Sequence, residues 1–169
     1  MEMTPEKASS LARFLISQFE DETRATRSVL AAIPADNADY KPDPKSKSAL
    51  ELAAHVATAE AFFLNAVIKA LFERPATSPA AGLKTPAEVV AFYDANVPQA
   101  IQKVKELSGE HLSQPVTAFT RTFPNVMLLT IGLKHGIHHR GQLSTYLRPM
   151  GAKVPSIYGG SADTPQEPA

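Results

Sequence analysis

The chain has no cysteine. Disulfides, thiolate metal sites and cysteine nucleophiles are therefore excluded, which leaves imidazole and carboxylate as the available metal ligands. It has no net charge either. Seventeen basic residues balance seventeen acidic ones, so the molecule as a whole sets up no field to attract nucleic acid. No apolar run approaches the roughly 18 residues that a membrane span needs. The opening Met1-Glu2-Met3-Thr4-Pro5-Glu6-Lys7 lacks the apolar segment of a secretory signal. A cytoplasmic protein with neither a membrane nor a nucleic-acid partner is the expectation. Three chemistries also find no support: there is no Ser-His-Asp ordering, no glycine-rich phosphate loop, and no acidic pair spaced for glycoside cleavage.

What is present is helical periodicity. With 169 residues, 44% of them apolar, the chain suits one domain with an ordinary core. That domain is expected over 1–169, with an ordered core at about 5–150 and a tail at 151–169. Leu11, Phe14, Leu15, Phe19, Thr26 and Leu30 form one stripe of a helix from Pro5 to about Ile33, with Thr4 as its cap. A second helix starts near Ser48, with Glu51 as capping-box partner, and runs to about Phe72. Thr85-Pro86-Ala87-Glu88 opens a third, which contains Pro98 and ends at Ser108-Gly109. Residues 110–124 read as irregular, with a short extended piece around Val116 to Phe123. A fourth helix spans about Asn125 to Arg148. The fold class is all-α, a four-helix bundle with long connections. The connector of about a dozen residues between helices two and three is long enough for a crossover.

Three of the five histidines fall in Lys134-His135-Gly136-Ile137-His138-His139-Arg140-Gly141-Gln142-Leu143. Residues four apart on a helix differ by about 40° in azimuth and about 6 Å in height. His135 and His139 are thus stacked on one face, the spacing used by paired imidazole ligands. His55, in register with Leu52, Ala59 and Phe62 on helix two, is the best-placed third ligand. A lone histidine on an apolar face is more often a core residue. An imidazole pair without an ion, however, would carry unsatisfied nitrogens and repel if charged. His138 points to the edge of the site, and His111 reads as an exposed loop residue. Glu60, about 140° round from His55, reads as a solvated or salt-bridged acid and a weak candidate for a general base. Gln142 shares a stripe with His135 and could hold a water or an imidazole N–H. Arg140 and Arg148 read as surface or inter-helix partners. Tyr93, Tyr146 and Tyr158 read as core or rim.

His55, the run His135-x-x-x-His139-Arg140-Gly141-Gln142-Leu143, and Tyr146-Leu147-Arg148-x-x-Gly151 resemble the DinB-like (YfiT-like) family of metal-dependent enzymes. This is the damage-inducible small-protein family and not the DNA polymerase sharing its name. Tyr40-Lys41-Pro42-Asp43-Pro44 and Pro155-Ser156-Ile157-Tyr158-Gly159 add to the likeness. The resemblance implies a bundle with a long connection, usually a homodimer. It also implies zinc, nickel or a similar divalent ion held at positions matching His55, His135 and His139. Characterised members include S-transferases and isomerases that use low-molecular-weight thiols such as bacillithiol or mycothiol.

An ion on three neutral imidazoles keeps its full charge and open positions, so it can acidify a bound water or take a thiol as thiolate. The first use makes a hydrolase; the second makes a thiol S-transferase acting on a small-molecule thiol that arrives as substrate. The catalytic group is then the ion's water or thiolate, with Glu60 and Gln142 as weak candidates beside it. A non-catalytic metal-binding stress or sensor protein is the alternative, and a structural dimer with core histidines a third. Metal affinity is expected to fall as pH drops through about 6, where ordinary imidazoles protonate.

Overall fold

Cap chemistry sets where three of the helices begin. The Thr4 hydroxyl accepts from the Lys7 N–H at 3.4 Å, with proline next in the chain, and α1 runs Pro5–Ala31. Ser48 and Glu51 satisfy each other's backbone N–H groups at the start of α2 (Ala49–Lys69). Thr85 and Glu88 do the same for α3 (Pro86–Lys105), which continues through Pro98. This computed structural model describes residues 3–165. Residues 1–2 and 166–169, the extremes of the expected domain, lie outside the described residues.

Two boundaries differ from the sequence reading. Helix α2 stops at Lys69 rather than near Phe72, because Ala70 turns left-handed (φ 48°) and the Leu71 N–H closes on the Ala66 carbonyl. Ser108, read as a helix end, is instead a cap. It accepts from the His111 N–H and opens a short helix, α4 (Gly109–Ser113). The stretch after it is a hairpin, β1 (Pro115–Ala118) against β2 (Arg121–Pro124), with Ala118 opposite Arg121. The last long helix, α5, runs Met127–Leu147.

Helices α1 and α2 each pack against both α3 and α5, so the first two long helices lie on a diagonal of the bundle. Consecutive neighbours of a simple up-and-down bundle would not do this, and the 32–48 connection makes the crossing possible. The core runs along all four seams, with Phe19, Leu30, Leu52, Leu64, Tyr93, Leu129, Leu143 and Leu147 buried. Helix α2 is long and apolar enough to cross a membrane by length and composition, although no unbroken apolar run in the sequence suggests it. Most of that apolar surface is turned into the bundle, which explains its composition.

Gly132 sets the approach of α5 to α2. A Cβ there would sit 2.7 Å from Phe63 Cβ and 3.0 Å from its Cγ, with the Phe19 ring behind at 3.4 Å. Alanine is the better helix former by about 1 kcal/mol. Overpacking a fixed backbone typically costs about 1–3 kcal/mol, so the steric term wins. Gly132→Ala is expected to destabilise the fold by up to about 2 kcal/mol in urea denaturation, the overpacking cost less the propensity gain. An unchanged or raised midpoint would mean that the two helices separate freely.

Candidate metal centre

Helix α2 supplies His55 and α5 supplies His135 and His139, and the seam between the two brings the three rings together. Ring centroids lie 4.9 Å apart for His55 and His135, 4.7 Å for His55 and His139, and 4.5 Å for His135 and His139. One nitrogen from each falls within 4.8 Å of the other two. His55 Nε2 and His135 Nε2 are 3.1 Å apart. A tetrahedral zinc with nitrogens at 2.0–2.1 Å sets neighbouring nitrogens about 3.3 Å apart, close to the spacing of the His55–His135 pair, with the His139 nitrogen within 4.8 Å of both. All three rings are half-buried, reachable from outside yet partly dry.

Electrostatics keep two of these rings, His135 and His55, available as ligands. Burial depresses the His135 pKa to about 4, and the neighbouring His139, His55 and His138 push in the same direction. His55 is lowered for the same first reason, helped by the charges of His139, Lys47 and Arg74. Neutral imidazole, the form that ligates, therefore prevails across the neutral range. Gln142 orients the third ring: its Oε1 meets His139 Nδ1 at 3.1 Å. A proton on Nδ1 donated there leaves Nε2 with its lone pair. The Gln142 amide also donates to the Tyr146 hydroxyl at 3.4 Å.

The other sequence candidates go elsewhere. His138 is exposed; its ring lies 4.8 Å from that of His139 but outside the three-nitrogen cluster. His111 is not a free loop residue. It sits in α4, half-buried, with Nε2 2.9 Å from the Val67 carbonyl, one of the last carbonyls of α2. Tyr146 is buried and Tyr93 fully so, whereas Tyr158 is 72% exposed, with its hydroxyl bonded to Arg140 and Glu22.

Glu60 overturns the expectation of a solvated acid. The 140° turn from His55 points it away from the imidazoles and into the bundle, where it is 3% exposed. Tyr93 donates to its Oε1 at 2.8 Å, and its Oε2 lies 3.5 Å from where a Cβ on Gly136 would sit. Burial raises the Glu60 pKa to about 7, against the lowering effects of the Tyr93 hydrogen bond and the Arg140 charge. A carboxyl whose folded pKa lies above its unfolded value stabilises most when protonated. Its contribution is full below about 4.5 and lost as pH rises through about 7. The loss amounts to about 3 kcal/mol. Glu60→Gln is therefore expected to gain on the wild type in unfolding free energy between pH 4.5 and 7.5. A difference independent of pH would show that Glu60 does not titrate in that window.

Arg140, the residue after His139, is also buried, 2% exposed, and belongs to an inter-helix network rather than the surface. It pairs with Glu22 of α1 and donates to the Tyr158 hydroxyl, which in turn donates to the Glu22 carboxylate at 2.8 Å. Arg148 is exposed and pairs with Asp163 in the tail at 2.9 Å.

Helix α5, with its paired histidines, falls inside a match between residues 7–169 and the model of the DinB family. The chain belongs to the DinB family. Among DinB relatives, YjoA of Bacillus subtilis strain 168 is 31% identical over 140 residues, covering 81% of this chain and 89% of YjoA. The crystal structure of YjoA superposes with a TM-score of 0.69 at 25% identity, over 85% of this chain and 96% of that one. A DinB-like protein from Bacillus cereus ATCC 10987 gives a TM-score of 0.70 at 21% identity, over 94% of this chain and all (100%) of its own. A mycothiol-dependent maleylpyruvate isomerase shares the fold at a TM-score of 0.51 and 19% identity, this chain matching over 90% of its own length and 65% of the isomerase.

Proposed function

We propose that this DinB protein is a metal-dependent enzyme holding one divalent transition-metal ion, zinc or nickel, on His55, His135 and His139. The observation that carries the reading is the convergence of three half-buried imidazole nitrogens from two helices within 4.8 Å. When bound, the ion supplies Lewis-acid chemistry, acidifying a water or a thiol at an open position. The chain's own residues set the rest. Gln142 fixes the orientation of His139. The Phe63 ring packs 5.4 Å from that of His135.

Thiol-dependent S-transfer is the preferred reaction type and hydrolysis the other. A cysteine-free chain must take its thiol from solution, and the fold is shared with a mycothiol-dependent enzyme. The working form in this reading is a cytoplasmic homodimer acting on a small molecule.

The test has two steps. Metal analysis of untagged protein should find about one ion per chain. The loaded protein is then screened for thiol conjugation to electrophiles and for ester and amide hydrolysis, with His139→Ala as control. Activity that survives this substitution ends the metal mechanism. An ion without turnover in either screen would favour a metal-binding stress or sensor protein.

A further inference from the structure

We infer that a cleft between α1, the end of α3 and α4 is a second ligand site, built for a small amphipathic monocarboxylate with one carboxylate on an apolar body. It lies on the α1–α3 seam, whereas the histidines lie on the α2–α5 seam, and it stands independently of the metal reading. The cleft holds about 370 Å³, within the range of small-molecule pockets. At about 30 Å³ for each water-sized group, that is room for about a dozen carbon or oxygen atoms. The seam stays open here for a local reason. Helix α3 ends at Lys105, and the chain turns through 106–108 into α4, which takes over the packing against α1. Gly109 seats α4 so close to α1 that a Cβ there would clash with the Pro5 carbonyl and the Ser9 hydroxyl. Between that contact and the end of α3, α1 presents Ser9, Ala12 and Ser17 to the gap, and they are too short to fill it.

The chemistry of the walls selects the occupant. The floor is apolar: Ala12, Ile16, Val104 and Leu112 line it, each buried and at most 5% exposed. The rim carries three charges, those of Arg13, Glu20 and Lys105. Two of them cancel, because Lys105 Nζ lies 2.6 Å from Glu20 Oε1. The third has no carboxylate in ion-pair contact among the described residues; the Arg13 guanidinium donates to the Ser10 hydroxyl at 3.4 Å. Arg13 stands seven residues before Glu20, so about 10 Å of helix separates the uncompensated cation from the neutral pair. A planar fork of N–H donors beside an apolar floor matches a carboxylate carried on an apolar chain. A dianion would bring a second charge with no partner, and a cation would meet Arg13 with like sign. A straight chain of about eight carbons, ten non-hydrogen atoms with its carboxylate, suits both the volume and the single charge.

The experiment titrates octanoate, butanoate and octanol into full-length protein supplied with zinc, followed residue by residue in two-dimensional NMR. Octanoate should shift the signals of Ala12, Ile16, Val104 and Leu112 saturably. It should bind at least about tenfold more tightly than butanoate, since a buried methylene multiplies affinity about fourfold and a half-covered one about twofold. Arg13→Gln should weaken octanoate at least about fivefold and leave octanol unchanged. Ser17→Phe fills the cleft and should abolish binding of both. Both substitutions fall at exposed positions, and the spectra themselves report whether the variants fold. Shifts confined to the surroundings of His55, His135 and His139 overturn the inference, because the carboxylate would then be ligating zinc. So does an octanoate affinity unchanged in Arg13→Gln, or no saturable shift at all. A dimer that Ser17→Phe dissociates, with wild-type signals unmoved by octanoate, also overturns it, because a second copy would then cover the cleft. Octanoate bound in the cleft of a protein that takes up no zinc sustains this inference and ends the metal reading.

Discussion

His135→Ala is expected to weaken zinc binding at least about a hundredfold, and His55→Ala and His139→Ala likewise. Four-ligand zinc sites bind with roughly 10–16 kcal/mol in all, so each ligand accounts for about 3 kcal/mol, a factor above one hundred. With zinc in excess, the metal-dependent gain in stability should shrink by about 2.7 kcal/mol for each hundredfold lost. Competition with a fluorescent chelator reads the affinity, and thermal melts with and without zinc read the linkage. His138→Ala should change affinity only slightly, because its ring borders His139 without joining the cluster. His111→Ala separates stability from binding: it removes a contact to the Val67 carbonyl and should cost about 1 kcal/mol of stability with affinity intact. A His111→Ala protein as impaired in zinc binding as His135→Ala would mean that the ligands are misassigned. Proton competition follows the same geometry. His135, depressed to about 4, and His55, also lowered, stay neutral below the pH at which ordinary imidazoles protonate. Lowered values on two of the ligands should let affinity hold to a lower pH than three unperturbed imidazoles would allow.

The features legible in the sequence were those encoded locally. Caps at Thr4, Ser48 and Thr85 are short-range hydrogen bonds written in adjacent residues, and the structure forms all three. His135 and His139 share a face through helix geometry alone, whatever the rest of the chain does. Features set by distant partners were not legible. Glu60 looked solvated because its stabilising contact, the Tyr93 hydroxyl, comes from a residue 33 positions away. His111 looked free because its acceptor is the carbonyl of Val67, 44 positions back. The hairpin at 115–124 was only partly visible, because Phe119-Thr120 lacks the Asn-Gly signal that usually marks a two-residue turn. The diagonal placement of α1 and α2 is a property of packing, and loop length only allows it.

Glu22→Ala is expected to destabilise the fold by about 3 kcal/mol. Arg140 is 2% exposed, and among the described residues its guanidinium has one carboxylate in ion-pair contact, that of Glu22, itself 16% exposed. Deleting one member of such a pair strands the other charge in a poorly solvated place, at a cost of about 3–5 kcal/mol. The low end applies because some partners remain. Thr26 Oγ1 lies 3.5 Å from Nη1, the Tyr158 hydroxyl still accepts from Nη2, and the Tyr158 ring sits 5.1 Å from Cζ. Arg140→Met should cost less than Glu22→Ala, because it removes the more deeply buried charge and leaves Glu22 still accepting from the Tyr158 hydroxyl. The double variant should recover much of the loss from Glu22→Ala, and the coupling in that cycle isolates the pair. The network also bears on the metal centre. Arg140 adjoins His139 on α5, and its tie to α1 helps fix the rotation of α5 that turns both imidazoles towards α2. Zinc affinity in Glu22→Ala should therefore fall by about ten- to a hundredfold, as it does when groups supporting a ligand are lost. If stability falls by about 3 kcal/mol while zinc affinity stays at the wild-type value, the pair holds the bundle together without aiming its histidines.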